Sequence, residues 1–257
     1  MNYLTPKEAK ADSVQLENNM SFFANDINKK EHTLWVEKYR PQTLADYVGN
    51  ETIKETIQQY LDANDIPHLL LYGKAGTGKT TLAKLIVNTI KCDFMIINAS
   101  DENNVDTVRN KVKGFASSVG FSGFKVIILD EFDYMTPNAQ AILRNLMETF
   151  SKHCRFILTC NYPTKIIPPL KSRCHEIHIA KTDPTEFTAR AATVLVEENV
   201  DFDLDTLDSY VKATYPDLCK CLNLLQTNSV TGKLNQPRET GGVGGDFRLD
   251  AVNLIKA

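Results

Sequence analysis

Apolar residues occur in short runs that alternate with stretches of helical spacing between residues 35 and 179. The runs that have the length and composition of β-strands are residues 69–72, 94–98, 125–130, 155–159 and 177–179. Several short apolar strands separated by helices are typical of a parallel sheet with helices on both faces. The pattern therefore predicts an α/β domain over residues 32–180 with a parallel five-stranded sheet.

A purely helical pattern begins after the polar residues 181–185, where the strand signals end. The predicted helices are residues 184–198, 204–213 and 217–228. Asp183 is suited to cap the first of them, since an aspartate accepts from free N–H groups and Pro184 fits the first helical position. We predict a small three-helix domain over residues 181–230.

The two ends of the chain differ from both patterns. Residues 1–31 are polar except for Phe22 and Phe23, which predicts a loosely ordered N-terminal extension. The glycine-rich run 240–245 predicts a flexible linker within residues 231–257. The apolar side of residues 246–257 is too short to form a stable helix alone. We expect it to begin a further element or to dock elsewhere as a peptide.

The motif G-x-x-x-x-G-K-T at residues 73–80 follows the first predicted strand and predicts a phosphate-binding loop. Its glycines let backbone N–H groups approach phosphate oxygens at the start of a helix. Lys79 is expected to reach the β and γ phosphates, and Thr80 to hold Mg²⁺. The nucleotide-binding residues assigned here are Gly73, Lys74, Ala75, Gly76, Thr77, Gly78, Lys79, Thr80 and Thr81. The alternative is a glycine turn without a ligand.

Polar residues follow two later strands at the edge where open α/β sheets bind ligands. We expect Asp130 to support the Mg²⁺ held by Thr80, and Glu131 to orient and polarise the attacking water. Asn161 is placed to hydrogen-bond that water or the γ-phosphate. Two alternatives remain: the two acids could cap the next turn, and Asn161 could open the turn before Pro163.

Composition narrows the class of protein. The 257 residues are 42% hydrophobic and 24% charged, with a net charge of −3, which excludes a globally basic surface. Six cysteines occur without C-x-x-C pairs and no secretory signal is visible, so we expect a soluble protein of a reducing intracellular compartment. The apolar runs are too short to cross a bilayer, and we expect no membrane association.

Taken in order, these motifs resemble the clamp-loader branch of the AAA+ ATPases, which includes replication factor C small subunits and the large subunit of the phage clamp loader. The resemblance covers residues 35–226. It is carried by W-V-E-K-Y-R-P at 35–41, the phosphate loop, N-A-S-D at 98–101, Asp130 with Glu131, Cys160 with Asn161, and S-R-C at 172–174. The first and last segments are more particular to clamp loaders than the phosphate loop is.

The resemblance implies an ATPase subunit of a sliding-clamp loader, which uses ATP and Mg²⁺ to open the clamp and place it on primer-template DNA. Its partners would be other subunits in a pentameric homo- or hetero-oligomer, in the host cytoplasm if the chain is phage-encoded. The final residues would then begin a C-terminal collar. Other readings are a nucleotide-binding structural subunit with little turnover, or another AAA+ remodeller such as a helicase loader.

The resemblance also assigns residues that spacing alone does not. Val36, Tyr39, Arg40 and Pro41 would line the adenine side of the pocket. The alternative for Tyr39 and Arg40 is simple packing and a surface ion pair. Spacing alone predicts that Arg173 forms a surface salt bridge. The resemblance implies instead that it completes the neighbouring subunit's site in trans.

A cationic helix face is predicted within residues 101–116. Val105, Val108, Val112 and Phe115 form an apolar stripe, which leaves Arg109, Lys111 and Lys113 on the exposed side. The resemblance implies that Arg109 and Lys113 contact DNA phosphates. The alternative is an ordinary helix face exposed to solvent.

The lid departs from the family pattern Gly-Asp-x-Arg. Here Cys219 stands in the place of the arginine that senses the γ-phosphate, and Lys220 follows it. We expect either weaker lid closure or compensation by Lys220.

Overall fold

The computed structural model describes residues 34–101, 105–118 and 124–237. The predicted extension at 1–31, the linker at 240–245 and the element at 246–257 lie outside these residues. The domain boundaries assigned from sequence therefore stay predictions.

The predicted parallel five-stranded sheet is present, with the strand order β2-β3-β4-β1-β5. The strands are β1 (Leu69–Tyr72), β2 (Asp93–Asn98), β3 (Lys125–Asp130), β4 (Cys154–Cys160) and β5 (His175–His178). The prediction for β5 began two residues late. Only Ile177 of this edge strand is buried, so the apolar run that marks the inner strands is missing.

Helices pack on both faces of the sheet, and β3 is therefore buried on both sides. Ile127 and Leu129 pack with α4 (Val105–Ser117) and α5 (Pro137–Phe150). Val126 and Ile128 pack with α2 (Glu51–Ala63) and α3 (Lys79–Ile90). A strand with two apolar faces is held between these layers.

The lid consists of three helices with a core of their own. They are α7 (Pro184–Glu197), α8 (Leu204–Thr214) and α9 (Leu218–Asn228), within a residue of the predicted bounds. Asp183 caps α7 as predicted, since its Oδ1 accepts the Thr185 N–H at 2.8 Å. Phe187 and Tyr210 are the largest fully buried side chains of this core.

A short N-terminal helix, α1 (Trp35–Lys38), packs with the lid rather than with the sheet. Trp35 is buried in the lid core, and its backbone N–H donates to Gln226 Oε1 at 3.1 Å. Tyr39 Oη donates to Glu198 Oε1 at 2.8 Å. Residues 35–41 therefore connect the lid to the sheet domain. One further short helix, α6 (Pro168–Lys171), precedes β5.

Candidate nucleotide-binding site

The phosphate loop leaves β1 and ends at α3, which begins at Lys79. Gly76 has a φ of +76°, and a Cβ at this residue would lie 2.5 Å from Asp217 Cγ. A Cβ on Gly73 would lie 2.2 Å from the Ile179 carbonyl oxygen. The loop can therefore keep this path only with glycine at both positions, because a side chain would meet the lid or the sheet.

The Lys79 side chain folds back into the loop. Its Nζ donates to the carbonyl oxygens of Gly73 at 3.1 Å and Lys74 at 2.7 Å. Burial lowers the pKa of Lys79, although Asp130 and other nearby groups oppose the shift. A phosphate oxygen in the loop would stabilise the charged ammonium far better than carbonyl groups do.

Asp130, at the end of β3, joins the loop to the next strand. Thr80 Oγ1 donates to Asp130 Oδ1 at 2.8 Å and to Oδ2 at 3.0 Å. Thr159, at the end of β4, also donates its hydroxyl to Asp130 Oδ1. The Thr80 hydroxyl and the Asp130 carboxylate are the kind of oxygen ligands that Mg²⁺ takes.

A Mg²⁺ ion bound to Thr80 and Asp130 would need further ligands that the described part of the chain does not supply. The described residues contain no cluster of three or more His, Cys, Asp or Glu that could hold a metal. Mg²⁺ commonly completes its coordination with phosphate oxygens and water, so the donor set fits a nucleotide-bound Mg²⁺.

Glu131 follows Asp130 in a strained backbone conformation. Its φ is +53°, which is rare outside glycine, and its N–H donates to Thr159 Oγ1 at 3.1 Å. This hydrogen bond stabilises the turn after β3, in which Glu131 is one of the residues that line the cleft. Strain of this kind often marks a functional position.

Glu131 and Asn161 line one cleft together with the phosphate loop. The lining residues are Ala75, Gly76, Lys79, Thr80, Asp130, Glu131, Thr159, Cys160 and Asn161. The Asn161 N–H donates to Oδ1 of the buried Asp133 at 3.3 Å. Asn161 also precedes the short 3-10 helix at Pro163–Lys165. It therefore lies in the cleft and at the start of the turn, so both interpretations of Asn161 agree with the structure.

Sequence reasoning missed Thr159 and Asp133. Thr159 is the one hydroxyl side chain in β4, the strand beside the one that carries Asp130, and that adjacency was a usable signal. Asp133 gave no signal, because an acid in the turn after a strand is ordinarily exposed, whereas here it is buried and accepts two backbone N–H groups.

A second cavity opens on the other side of the loop, between residues 35–41 and the lid. It is lined by Val36, Tyr39, Arg40, Pro41, Tyr47, Val48, Gly76, Thr77, Gly78, Thr81, Thr182, Arg190, Leu218, Cys219 and Leu222. All four residues expected beside adenine are present. An apolar cavity that continues into a phosphate loop suits a nucleotide base.

Hydrogen bonds fix the walls of this cavity, which is called the adenine cavity below after the ligand expected from the resemblance. Arg40 donates from Nη1 to Thr81 Oγ1 at 3.2 Å and from Nε to Glu37 Oε2 at 3.0 Å, so the ion pair of the alternative interpretation is present as well. Tyr47 Oη donates to the Thr77 carbonyl oxygen at 3.3 Å, and burial raises the pKa of Tyr47. Arg190 of α7 donates to the Tyr39 carbonyl oxygen at 3.1 Å.

The start of α9 lies against the phosphate loop. Asp217 caps the helix by accepting the Lys220 N–H at 3.0 Å. Cys219 and Lys220 are both exposed, but only Cys219 is among the residues that line the adenine cavity. Partial desolvation there raises the pKa of the Cys219 thiol. The lid therefore offers a neutral thiol where the family pattern has a cation.

Arg173 lies away from its own cleft. Its Nε donates to Glu148 Oε1 at 2.8 Å, its Nη2 also binds Glu148, and its Nη1 donates to the Pro169 carbonyl oxygen at 2.6 Å. The surface salt bridge expected from spacing is confirmed. The arginine is not among the residues that line its own cleft.

The cationic face of α4 is likewise separate from the cleft. Val108 and Val112 are buried and Phe115 is partly buried, whereas Arg109 and Lys113 are exposed. The side chain of Val105 lies outside the described part of the chain. The structure does not place Arg109 or Lys113 at the nucleotide site.

Comparison with known proteins gives a family match and close relatives. Residues 69–181 match the model of the ATPase family associated with various cellular activities. Replication factor C subunit 5 of Mus musculus is 40% identical over 230 residues, which is 86% of this chain and 68% of the relative. The replication factor C small subunit of Halobacterium salinarum is 43% identical over 244 residues, 86% of this chain and 76% of the relative.

A solved structure agrees in fold. The RuvB Holliday junction branch migration motor of Thermotoga maritima superposes with a TM-score of 0.64 over 84% of this chain and 72% of RuvB. At 16% sequence identity, this likeness shows the fold alone. None of the described helices has the length and apolar content needed to cross a membrane.

Proposed function

The chain belongs to the family of replication factor C small subunits, and from that premise we propose that its nucleotide site is one half of an ATPase site that a neighbouring subunit completes. The protein is an AAA ATPase subunit of a clamp loader. The relatives favour this over a helicase loader or a low-turnover structural subunit. The observation that carries the proposal is the position of Arg173, on the surface and outside a cleft that is otherwise equipped for hydrolysis.

The residues of the cleft divide the work by chemistry. Lys79 neutralises the β and γ phosphates, and Thr80 and Asp130 would hold a Mg²⁺, which would screen the phosphate charge when bound. Glu131 accepts the proton of the attacking water, which Asn161 helps to orient. Val36, Tyr39, Arg40 and Pro41 bind the adenine side, and Thr81 lies beside them.

The partners follow from the family. We propose a pentameric assembly with other clamp-loader subunits that opens a sliding clamp and places it on primer-template DNA inside the cell. Arg109 and Lys113 on the exposed face of α4 would contact DNA phosphates. Such contacts predict binding that weakens steeply with salt and ignores base sequence.

An Arg173→Ala variant in the assembled complex tests the proposal. Because Arg173 lies outside its own cleft, the variant should keep its ATP affinity, while turnover at the neighbouring site that Arg173 completes falls by about 10³ to 10⁵-fold. Lys79→Ala is the matched control and should lose ATP binding itself. Equilibrium nucleotide titration and steady-state ATPase rates separate the two. Full turnover by Arg173→Ala would refute the trans site.

A further inference from the structure

The side chain of Asp217 brings a carboxylate of the lid against the phosphate loop, and the mechanism above gives it no role. A Cβ placed on Gly76 would lie 2.5 Å from Asp217 Cγ and 2.6 Å from its Oδ1. Gly76 lines both the cleft and the adenine cavity. A negative charge of the lid therefore lies directly beside the loop that is suited to bind negatively charged phosphates.

Hydrogen bonds hold Asp217 in this position. Its Oδ1 accepts the Lys220 N–H at 3.0 Å, and its carbonyl oxygen accepts the Cys221 N–H at 3.0 Å. Its own N–H donates to the Thr214 carbonyl oxygen at 2.8 Å. The carboxylate can leave the loop only if the cap of α9 is broken or the lid moves as a whole. The charge is therefore a fixed part of the lid surface that contacts Gly76.

The nearby cationic side chains leave the Asp217 charge without an ion pair. Among the described residues, the salt bridges formed do not include Asp217. Lys220 does not line the cavity, and Cys219 is neutral where the family pattern has an arginine. Partial desolvation raises the pKa of the Cys219 thiol, and Asp217 raises it further. Arg40 opposes this effect, but its guanidinium is paired with Glu37 at 2.5 Å.

We propose that Asp217 is a specificity-determining residue of the nucleotide site, which repels bound phosphates and lowers the affinity for ATP. The repulsion grows with the charge of the ligand, so its effect should rise from adenosine, which has no phosphate, through ADP to ATP. The same repulsion opposes closure of the lid over ATP. This assignment rests on the proposed binding of ATP phosphates by the loop, and it does not depend on the trans action of Arg173.

Equilibrium titration of the full chain with adenosine, ADP and ATP tests the assignment. Asp217→Asn and Asp217→Ser remove the charge and keep the cap, because asparagine and serine cap helices about as well as aspartate. Both variants should bind ATP about three to ten times more tightly than wild type, ADP with a smaller gain, and adenosine with unchanged affinity. Partial unfolding would weaken binding, so it cannot imitate this gain.

Asp203→Asn is the matched control. Asp203 caps α8 of the same lid by accepting the Thr206 N–H at 2.8 Å, but it lines neither the cleft nor the adenine cavity. This variant should bind all three ligands like wild type. The gain in ATP affinity at Asp217 should also shrink as ionic strength rises, because salt screens the repulsion between charges.

Three outcomes overturn the proposal. Neutral variants that bind ATP no more tightly than wild type would exclude a repulsive role. An equal gain for adenosine and ATP would show a change in the adenine cavity instead of a charge effect. A gain for Asp217→Asn without one for Asp217→Ser would indicate a new hydrogen bond from the amide.

The same titrations separate this assignment from the proposed function. If wild type binds ATP no more tightly than adenosine, the proposed phosphate site itself fails. If wild type prefers ATP and the neutral variants behave like wild type, only the role of Asp217 fails.

Discussion

The phosphate cleft and the adenine cavity share the loop around Gly76 but are built in different ways. The cleft is formed by the phosphate loop and by polar residues at the ends of β3 and β4, and Thr80 and Thr159 both donate to Asp130. The cavity is mostly apolar, and its walls come from residues 35–41, the loop and the lid. Sheet register therefore determines the cleft, whereas the docking of the lid determines the cavity.

The two regions should respond differently to nucleotide. Thr80, Asp130, Thr159 and Glu131 are hydrogen-bonded to one another within the sheet domain, so we expect their geometry to depend little on the lid. The cavity depends on long-range bonds such as Arg190 to Tyr39 and on the contact of Asp217 with Gly76. We therefore expect lid movement to reshape the cavity and to leave the polar residues of the cleft in place.

The largest expected effect comes from breaking the lid core with Phe187→Ala. Phe187 is 1% exposed, and loss of a buried ring costs about 3–5 kcal/mol. We expect faster hydrogen exchange in α7–α9 and weaker ATP binding, with the exchange of β1 and β4 unchanged. Phe156→Ala is the matched sheet variant and should affect β4 instead. Equal exchange changes throughout the chain would show that the lid and the sheet are a single cooperative unit.

A smaller and more selective effect is expected from Thr159→Val, which keeps the side-chain shape and removes the hydroxyl. Glu131 then loses its hydrogen-bond acceptor, and turnover should fall about a hundredfold with ATP affinity nearly unchanged. Thr214→Val in the lid is the control, since it also removes a buried hydroxyl but should cost stability only. The ATPase rate and the ATP dissociation constant are measured together. Unchanged turnover would mean that Thr159 does not position Glu131.

The smallest effect is expected at Cys219. Cys219→Arg places a cation at the lid position that lines the cavity, and we expect ATP to bind about five to ten times more tightly relative to ADP, about 1 kcal/mol. Cys219→Ser keeps the site neutral and should behave like wild type. The ratio of the two dissociation constants is the readout. An unchanged ratio for Cys219→Arg would show that this position does not sense the γ-phosphate.

The two regions also differ in how far the sequence predicts them. The strands, the loop and the positions of Asp130 and Asn161 follow from apolar runs and from the rule that parallel strands end at one edge. The place of Trp35 in the lid core does not, because the pairing of Trp35 with Gln226 joins residues 191 positions apart. No local pattern reports such a contact, and only the resemblance assigned residues 36–41 to the nucleotide.

Two features of the sheet domain could not be predicted from local sequence patterns. β5 is an edge strand in which only Ile177 is buried, so the apolar run that marks the inner strands is absent. Asp133 is buried because two backbone N–H groups from the end of β4 turn towards it, which is a tertiary effect. Both cases reflect the environment of a residue rather than its type.

The central claim is that the site is completed by a neighbour, and a mixing experiment tests it most directly. Glu131→Gln chains keep Arg173 but lack the catalytic carboxylate, and Arg173→Ala chains keep the carboxylate but lack the arginine. Each variant alone should turn over ATP very slowly. In an equal mixture, about a quarter of randomly paired interfaces join an intact cleft to an intact arginine, so turnover should rise well above the sum of the two separate rates. A mixture no faster than that sum would contradict the claim.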